Sequence, residues 1–278
     1  MLLRLRTGLI SAALLCAMPV GHTFSAEPPP TKAPAAEPTS ADEEAAQRQA
    51  VILREGSIRL KQRALRRLAD LPGPTATRLI QEQFDALEAE KLPLPLWLDV
   101  LEAAAKRPDP TLKERLARRE RQFAAQPDPL RNWRECLEGG DASEGRAIFR
   151  ERPEAGCVRC HRAQKEGGDI GPDLTAIAQR AQRISVLESI LDPNAYIVPG
   201  FRSVLIKLKN GDEVSGVLTF ESTEALHLVS PIDGKKTIVR SDDIEKETGL
   251  PSAMPPGYGI LLGKRAIRDL IEYLFTQE

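Results

Sequence analysis

Apolar positions recur along this chain with two different periods, and the change of period divides it. From 42 to 135 the spacing is helical. Leu60, Ala64, Leu68 and Leu71 lie three or four apart, as do Ala76, Leu79, Ile80, Phe84 and Leu87, and then Leu98, Leu101 and Ala105. Such spacing puts each set on one face of a helix. Pro72-Gly73-Pro74 and the pairs Pro93/Pro95, Pro108/Pro110 and Pro127/Pro129 interrupt the pattern, so several short helices joined by tight turns are predicted. Between 201 and 247 the period drops to two. Val204, Ile206 and Leu208 alternate with polar neighbours, as do Leu226 and Leu228, and Asn210-Gly211 and Asp233-Gly234 are hairpin turn signals. Four or five short antiparallel strands are expected there.

Helical spacing flanks this segment on both sides. Gly139-Gly140 ends the preceding helix, and Asp141 with Glu144 three residues later forms an N-cap pattern. A short helix comes next, with Ala142, Gly145, Ile148 and Phe149 on one side. After a Pro/Gly loop and Gly171-Pro172-Asp173-Leu174 comes a second helix, with Ile177, Ile184, Leu187, Ile190 and Leu191 as its apolar positions and Asp192-Pro193 as its stop. The last stretch has a Pro-rich loop around Met254 and a final helix striped by Ile267, Leu270, Ile271, Leu274 and Phe275.

Charge changes this picture little. The net charge is −1, with 41% hydrophobic residues over 278. That composition suits a globular chain of one or two domains and argues against a nucleic-acid partner. The N-terminus changes it more. Arg4 and Arg6 precede an apolar run from Gly8 to Val20, and small residues at Thr23, Ser25 and Ala26 offer a cleavage site. The run is shorter than the ~20 residues that span a bilayer, so residues 1–26 read as an export signal. Contact with a membrane is expected only if that segment is retained. Cys16 does not make a lipoprotein signal, because Leu15 stands before it. Residues 27–41, rich in Pro, Ala and Thr, read as a tether.

Removal of the signal leaves Cys136, Cys157 and Cys160. An odd count makes no disulfide framework. Cys136 reads as a small buried apolar residue. The other two belong to Cys157-Val158-Arg159-Cys160-His161. Two thiols one helical turn apart can add to the two vinyl groups of one porphyrin, and the next residue then sets an imidazole under the iron. A redox dithiol would need a thioredoxin-like α/β context, and a zinc site would need a second Cys/His pair; the sequence has neither. One covalent haem c is therefore expected on Cys157 and Cys160, with His161 as proximal ligand. The remaining candidates for the opposite axial position are His227 and Met254. His227 faces opposite to Leu226 and Leu228 and reads as an ordinary strand histidine. Met254 lies in Ser252-Ala253-Met254-Pro255-Pro256-Gly257, where prolines can hold a thioether rigidly, and it is the expected distal ligand.

With CVRCH, GPDL, LESILDP and SAMPPG in this order, residues 139–278 resemble the haem-binding cytochrome c domain of the planctomycete/verrucomicrobial type, a class I cytochrome c-like family. That resemblance covers about half the chain. The helices of 42–135 are loosely similar to HEAT-like hairpins, which members of that family often carry upstream, and the strands of 201–247 resemble a small Sm-like or SH3-like barrel inserted ahead of the methionine loop. The fold expected is mainly α: a HEAT-like region, then a class I cytochrome c-like domain with a β insertion. The resemblance further implies that Gly145 and Phe149 cross the last helix at Tyr273, that the Pro172 carbonyl accepts the second N–H of His161, and that Leu174 packs on the haem face. A propionate partner is open among Arg180, Arg183 and Arg202.

The expected function is that of an exported, periplasmic one-electron carrier. It would accept electrons from an exported dehydrogenase and pass them to a terminal acceptor, and would not itself be an enzyme. The alternative is a haem-based sensor whose Met254 bond yields to a gas. A haem enzyme such as a peroxidase lacks an evident distal acid or base here. The basic residues near the motif, Arg150, Arg152, Arg159, Arg162 and Lys165, either steer an acidic partner or are ordinary solvated charges among Glu151, Glu154 and Glu166.

Overall fold

The computed structural model describes residues 37–277. The expected export signal over 1–26, Cys16 and most of the tether lie outside the described residues. The end of the tether is corrected: the first helix, α1 (Ser40–Glu55), already starts at Ser40. Thr39 causes this. Its hydroxyl accepts the Asp42 N–H at 3.2 Å while the Asp42 carboxylate accepts the Thr39 N–H at 3.0 Å. Two orphan donors of the first turn are thus satisfied reciprocally.

Four more helices succeed it: α2 (Ile58–Asp70), α3 (Pro74–Glu88), α4 (Trp97–Lys106) and α5 (Pro110–Ala124). Pro74 and Pro110 sit in the first turns of α3 and α5, where a missing N–H costs nothing. Most of the apolar stripes read from the sequence meet in one cluster that includes Leu65, Leu68, Ile80, Phe84 and Val100. Leu60, 44% exposed, and Ala105, also exposed, are corrections, and Leu98 is buried outside this cluster; α2 turns Ala64, Leu65 and Leu68 inward instead of Leu60.

The second half begins with α6 (Ala142–Glu151), continues through a single turn α7 (Cys157–Cys160) and a two-stranded hairpin of β1 (Arg162–Ala163) and β2 (Glu166–Gly167), and reaches α8 (Arg183–Leu191). Helix α8 starts later than the apolar pattern suggests. Ile177 belongs to a separate 3₁₀ turn after Ala176, whose φ of 50° interrupts the helical path. Asp141 caps α6 as expected, but on the Ser143 N–H at 3.0 Å. The Asp141 N–H goes to Asp269 at 2.8 Å and not to Glu144.

Five strands form an antiparallel sheet: β3 (Ser203–Leu208), β4 (Glu213–Glu221), β5 (Ala225–Val229), β6 (Lys236–Arg240) and β7 (Ile244–Leu250), in the order β6-β5-β4-β3-β7. The segment thus ends at Leu250, three residues beyond the sequence-based boundary. Strand β7 shows no inward alternation and is exposed along nearly all its length. Its register comes from the backbone ladder to β3, which runs to the Ser203/Leu250 pair. Val204, Ile206, Leu218, Leu226, Leu228 and Val239 make the sheet's own apolar cluster.

The chain is therefore mainly α-helical with a small antiparallel sheet. Its last helix, α9 (Tyr258–Phe275), breaks at Gly263, where φ is 74°, and the part beyond the break carries the apolar stripe. Helix α9 packs closely across α6. A Cβ on Gly145 would overlap the Asp269 carbonyl oxygen and lie 2.7 Å from the Tyr273 Cβ. One turn further, the rings of Phe149 and Tyr273 meet with centroids 5.6 Å apart. We expect Gly145→Val to force these helices apart and to destabilise the protein by about 3 kcal/mol. Urea unfolding checks this through a lowered midpoint; an unchanged midpoint would show that the crossing is not close-packed.

Helix α9 also joins the two halves. The Asp99 carboxylate of α4 is fully buried and accepts from Arg268 at 2.7 Å, Arg66 at 2.9 Å and Arg265 at 3.2 Å. A buried carboxylate is tolerable only when matched in this way. Nearby, Lys264 reaches the buried Glu135 at 2.7 Å.

Candidate functional site

The CVRCH segment is a single helical turn. Cys157 and Cys160 stand three residues apart on it, and the turn closes with the His161 N–H on the Cys157 carbonyl at 2.9 Å. Neither cysteine is joined in a disulfide. The chain from Gly168 to Leu174 folds back over them. The carbonyls of Val158, Cys160 and Arg162 accept from the N–H groups of Gly168 at 3.0 Å, Gly171 at 2.8 Å and Leu174 at 2.7 Å. Glycine is required where this loop meets the ring: a Cβ on Gly171 would lie 2.6 Å from His161 Cε1 and 2.8 Å from Nδ1.

His161 Nδ1 lies 2.9 Å from the Pro172 carbonyl oxygen. A carbonyl can only accept, so Nδ1 is the donor and carries the proton. Burial lowers the imidazole's pKa, with the Pro172 carbonyl acting in the opposite direction. In the neutral form that burial favours, Nε2 then holds a lone pair. Such an imidazole, oriented through its other nitrogen, is set up to bind a metal.

Burial also pushes the Cys157 thiol up to about 11 and raises that of Cys160. A redox dithiol needs the opposite shift, toward thiolate. Among the described residues, no group of three or more His, Cys, Asp and Glu side chains could hold an ion by itself, so the two thiols and the histidine are not completed to a zinc site.

Cys157, Val158, Leu174 and Met254 all pack, half-buried, against one apolar cluster built on Phe149, Leu187, Ile190, Ile267, Leu270 and Ile271. This cluster draws on residues before and after the sheet and uses none from β3 to β7. Two anchors fix its rim. The Tyr258 hydroxyl donates to the Ala155 carbonyl at 3.0 Å, tying the start of α9 to the chain just before Cys157. The Met254 N–H donates to Ser252 Oγ at 3.2 Å. Two thiols one turn apart, an imidazole that donates through Nδ1, and a thioether on the apolar cluster that Cys157 also touches are the donor types an iron porphyrin takes. Cys157, Cys160, His161 and Met254 are the residues that could hold one.

The other sequence candidates separate clearly. His227 is in β5, edge-to-face on Phe220 with ring centroids 5.0 Å apart, and belongs to the sheet. Arg183 pairs with Glu272 at 3.0 Å and donates to the Leu137 carbonyl at 2.9 Å. Arg202 is engaged by Glu221 and Glu247. Only Arg180 stays beside the Gly171–Leu174 loop, donating to the carbonyls of Thr175 and Asp173. Of the basic residues near the motif, Arg150 pairs with Glu166 and Arg152 with Glu154, which shortens the positive stretch to Arg159, Arg162 and Lys165. Cys136 is fully buried and its thiol is pushed up to about 12 by burial, as an inert core residue would be. The contacts of Gly171, Tyr258 and Ser252 have no signature in the sequence beyond their closeness to the motifs.

No protein-family model matches the chain, and no curated protein matches it.

Proposed function

We propose that this chain is an exported monohaem c-type cytochrome that carries single electrons in the periplasm. On this reading residues 139–278 are a class I cytochrome c-like domain, 42–135 a HEAT-like helical region, and the sheet an Sm- or SH3-like insertion. The strand order β6-β5-β4-β3-β7 is compatible with that last assignment. The observation that carries the function is the Nδ1–Pro172 hydrogen bond, which leaves Nε2 of His161 free beside two thiols of matching spacing.

The bound haem iron would supply reversible one-electron exchange. The chain does the rest. Cys157 and Cys160 hold the porphyrin edge covalently. His161 would supply Nε2, with its tautomer and plane fixed by Pro172 and Gly171. Met254 would supply a thioether sulfur. Leu174 and Val158, packed on the same apolar cluster, would help exclude water from the bound group. An iron given both the His161 nitrogen and the Met254 sulfur would leave little room for a substrate, which favours electron transfer over catalysis. Exported dehydrogenases and terminal acceptors are the fitting partners.

Carbon monoxide discriminates this from a gas sensor. The reduced holo-protein should leave added carbon monoxide largely unbound at concentrations that saturate five-coordinate haem proteins. Prompt, tight uptake would favour the sensor reading. The proximal side has its own test. Gly171→Ala should tilt the imidazole and weaken its hold on iron roughly tenfold, the scale on which residues that orient metal ligands act. Competition by added imidazole reads this directly, and an unchanged competition curve would count against the Gly171 contact.

A further inference from the structure

The chain leaves the cytochrome-like unit after α8, makes the five strands, and returns after β7. Its exit and return meet at one hydrogen bond. After α8 the Asp192 carboxylate accepts the Asn194 N–H at 3.1 Å, and the Asp192 carbonyl accepts the Ala195 N–H at 3.1 Å, which turns the chain outward. The Asn194 side chain points back: its Oδ1 accepts the Ser252 N–H at 2.9 Å, across 58 residues of sequence. The Ser252 hydroxyl in turn accepts the Met254 N–H at 3.2 Å. A continuous relay therefore runs from the end of α8 through the neck of the insertion to the methionine backbone.

The composition of the loop makes this relay matter. Pro251, Pro255 and Pro256 have no N–H, so the loop has few backbone donors with which to attach itself. Two of those it has, on Ser252 and Met254, are spent on the relay. Apolar packing of the Met254 side chain fixes depth but not direction, whereas a hydrogen bond to its N–H fixes the backbone from which the thioether projects. The neck bond also separates the loop from the sheet: strand β7 ends at Leu250 on β3, and the clasp comes next at Ser252.

We propose that Asn194 and Ser252 are positioning residues that clamp the neck of the β insertion and thereby aim Met254 at the iron. The inference rests on the reading of Met254 as distal ligand. It assigns a role to the Asn of the Leu-Asp-Pro-Asn run and to the Ser of Ser-Ala-Met, neither of which is among the residues proposed to hold the porphyrin.

The test is carbon monoxide affinity of the reduced, haem-loaded full chain, measured beside thermal unfolding. Removing one such hydrogen bond should shift the balance between bound and released methionine roughly fivefold. Asn194→Ala and Ser252→Ala should each strengthen carbon monoxide binding by that factor. Asn194→Asp, which keeps an acceptor for the Ser252 N–H, should bind as the native protein does. Adding Asn194→Ala to Met254→Ala should change nothing further, because the ligand being aimed is gone. If Asn194→Ala lowers the melting temperature yet leaves carbon monoxide affinity and the absorption spectrum unaltered, the clamp is structural only and the proposal fails. If Met254→Ala itself leaves carbon monoxide affinity unchanged, the ligand reading fails first, and the clamp falls with it.

Discussion

Replacing Cys157 and Cys160 together by serine should abolish covalently held haem, leaving no stain on the protein band after denaturing electrophoresis. The reason is chemical. Sulfur adds to the porphyrin vinyl groups to form thioethers; a serine hydroxyl at the same place does not. Either single variant keeps one link and should still stain. The two thiols contribute more than attachment, because Cys157 belongs with Val158, Leu174 and Met254 to the half-buried margin of the α6/α9 cluster. A porphyrin held there would cover that margin, and a group that binds only the folded state stabilises it by mass action. The double variant should therefore also melt well below the native holo-protein. A haem-positive double variant, or single and double variants alike in stain and melting, would remove the attachment role.

The second large effect is expected at Met254. Met254→Ala should lower the reduction potential by on the order of 0.1 V, a modest part of the ~0.8 V range that axial ligation spans. A thioether is a soft ligand that favours the ferrous state, and its loss would remove that bias. Because Met254 is half-buried against the cluster, truncation to alanine also removes packing. Met254→Leu separates the two causes, since leucine nearly conserves volume but has no sulfur. Both variants should show the lowered potential and the altered spectrum, and only the alanine variant should lose appreciable stability. A native potential in Met254→Leu would show that the sulfur is not a ligand.

Much of the fold was legible in the sequence where burial and periodicity agree. The stripe Ile267, Leu270, Ile271 and Leu274 is buried in α9 as its spacing requires, and Val204, Ile206, Leu226 and Leu228 are buried on one side of the sheet. Asn210-Gly211 and Asp233-Gly234 do make turns, with positive φ at both glycines. What escaped was fixed by long-range backbone contact or by single φ values. Strand β7 has no alternation to read: only Ile244 packs on the sheet's apolar cluster, and β3 is its one strand partner among the described residues. The break at Gly263 and the late start of α8 depend on local φ values that the apolar pattern does not encode. Asp141 shows the limit of a local rule: its spacing to Glu144 suits a capping box, yet its N–H is taken by Asp269, 128 residues away. The candidate site was legible in its donors, because their chemistry is carried by residue type and spacing. Its supports were not. Nothing in the sequence says that Gly171 lies against the His161 ring, that Tyr258 reaches Ala155, or that Asn194 closes the neck of the insertion on Ser252.

Covalent haem on the CVRCH turn has its plainest readout in peptide mass. The native protein should be cleaved after glutamate, which releases residues 155–166 with both cysteines in one fragment. The expected result is a fragment heavier by one haem, with neither thiol open to alkylation. The same fragment at its bare mass, with two alkylatable thiols, would show that this chain is not a c-type cytochrome.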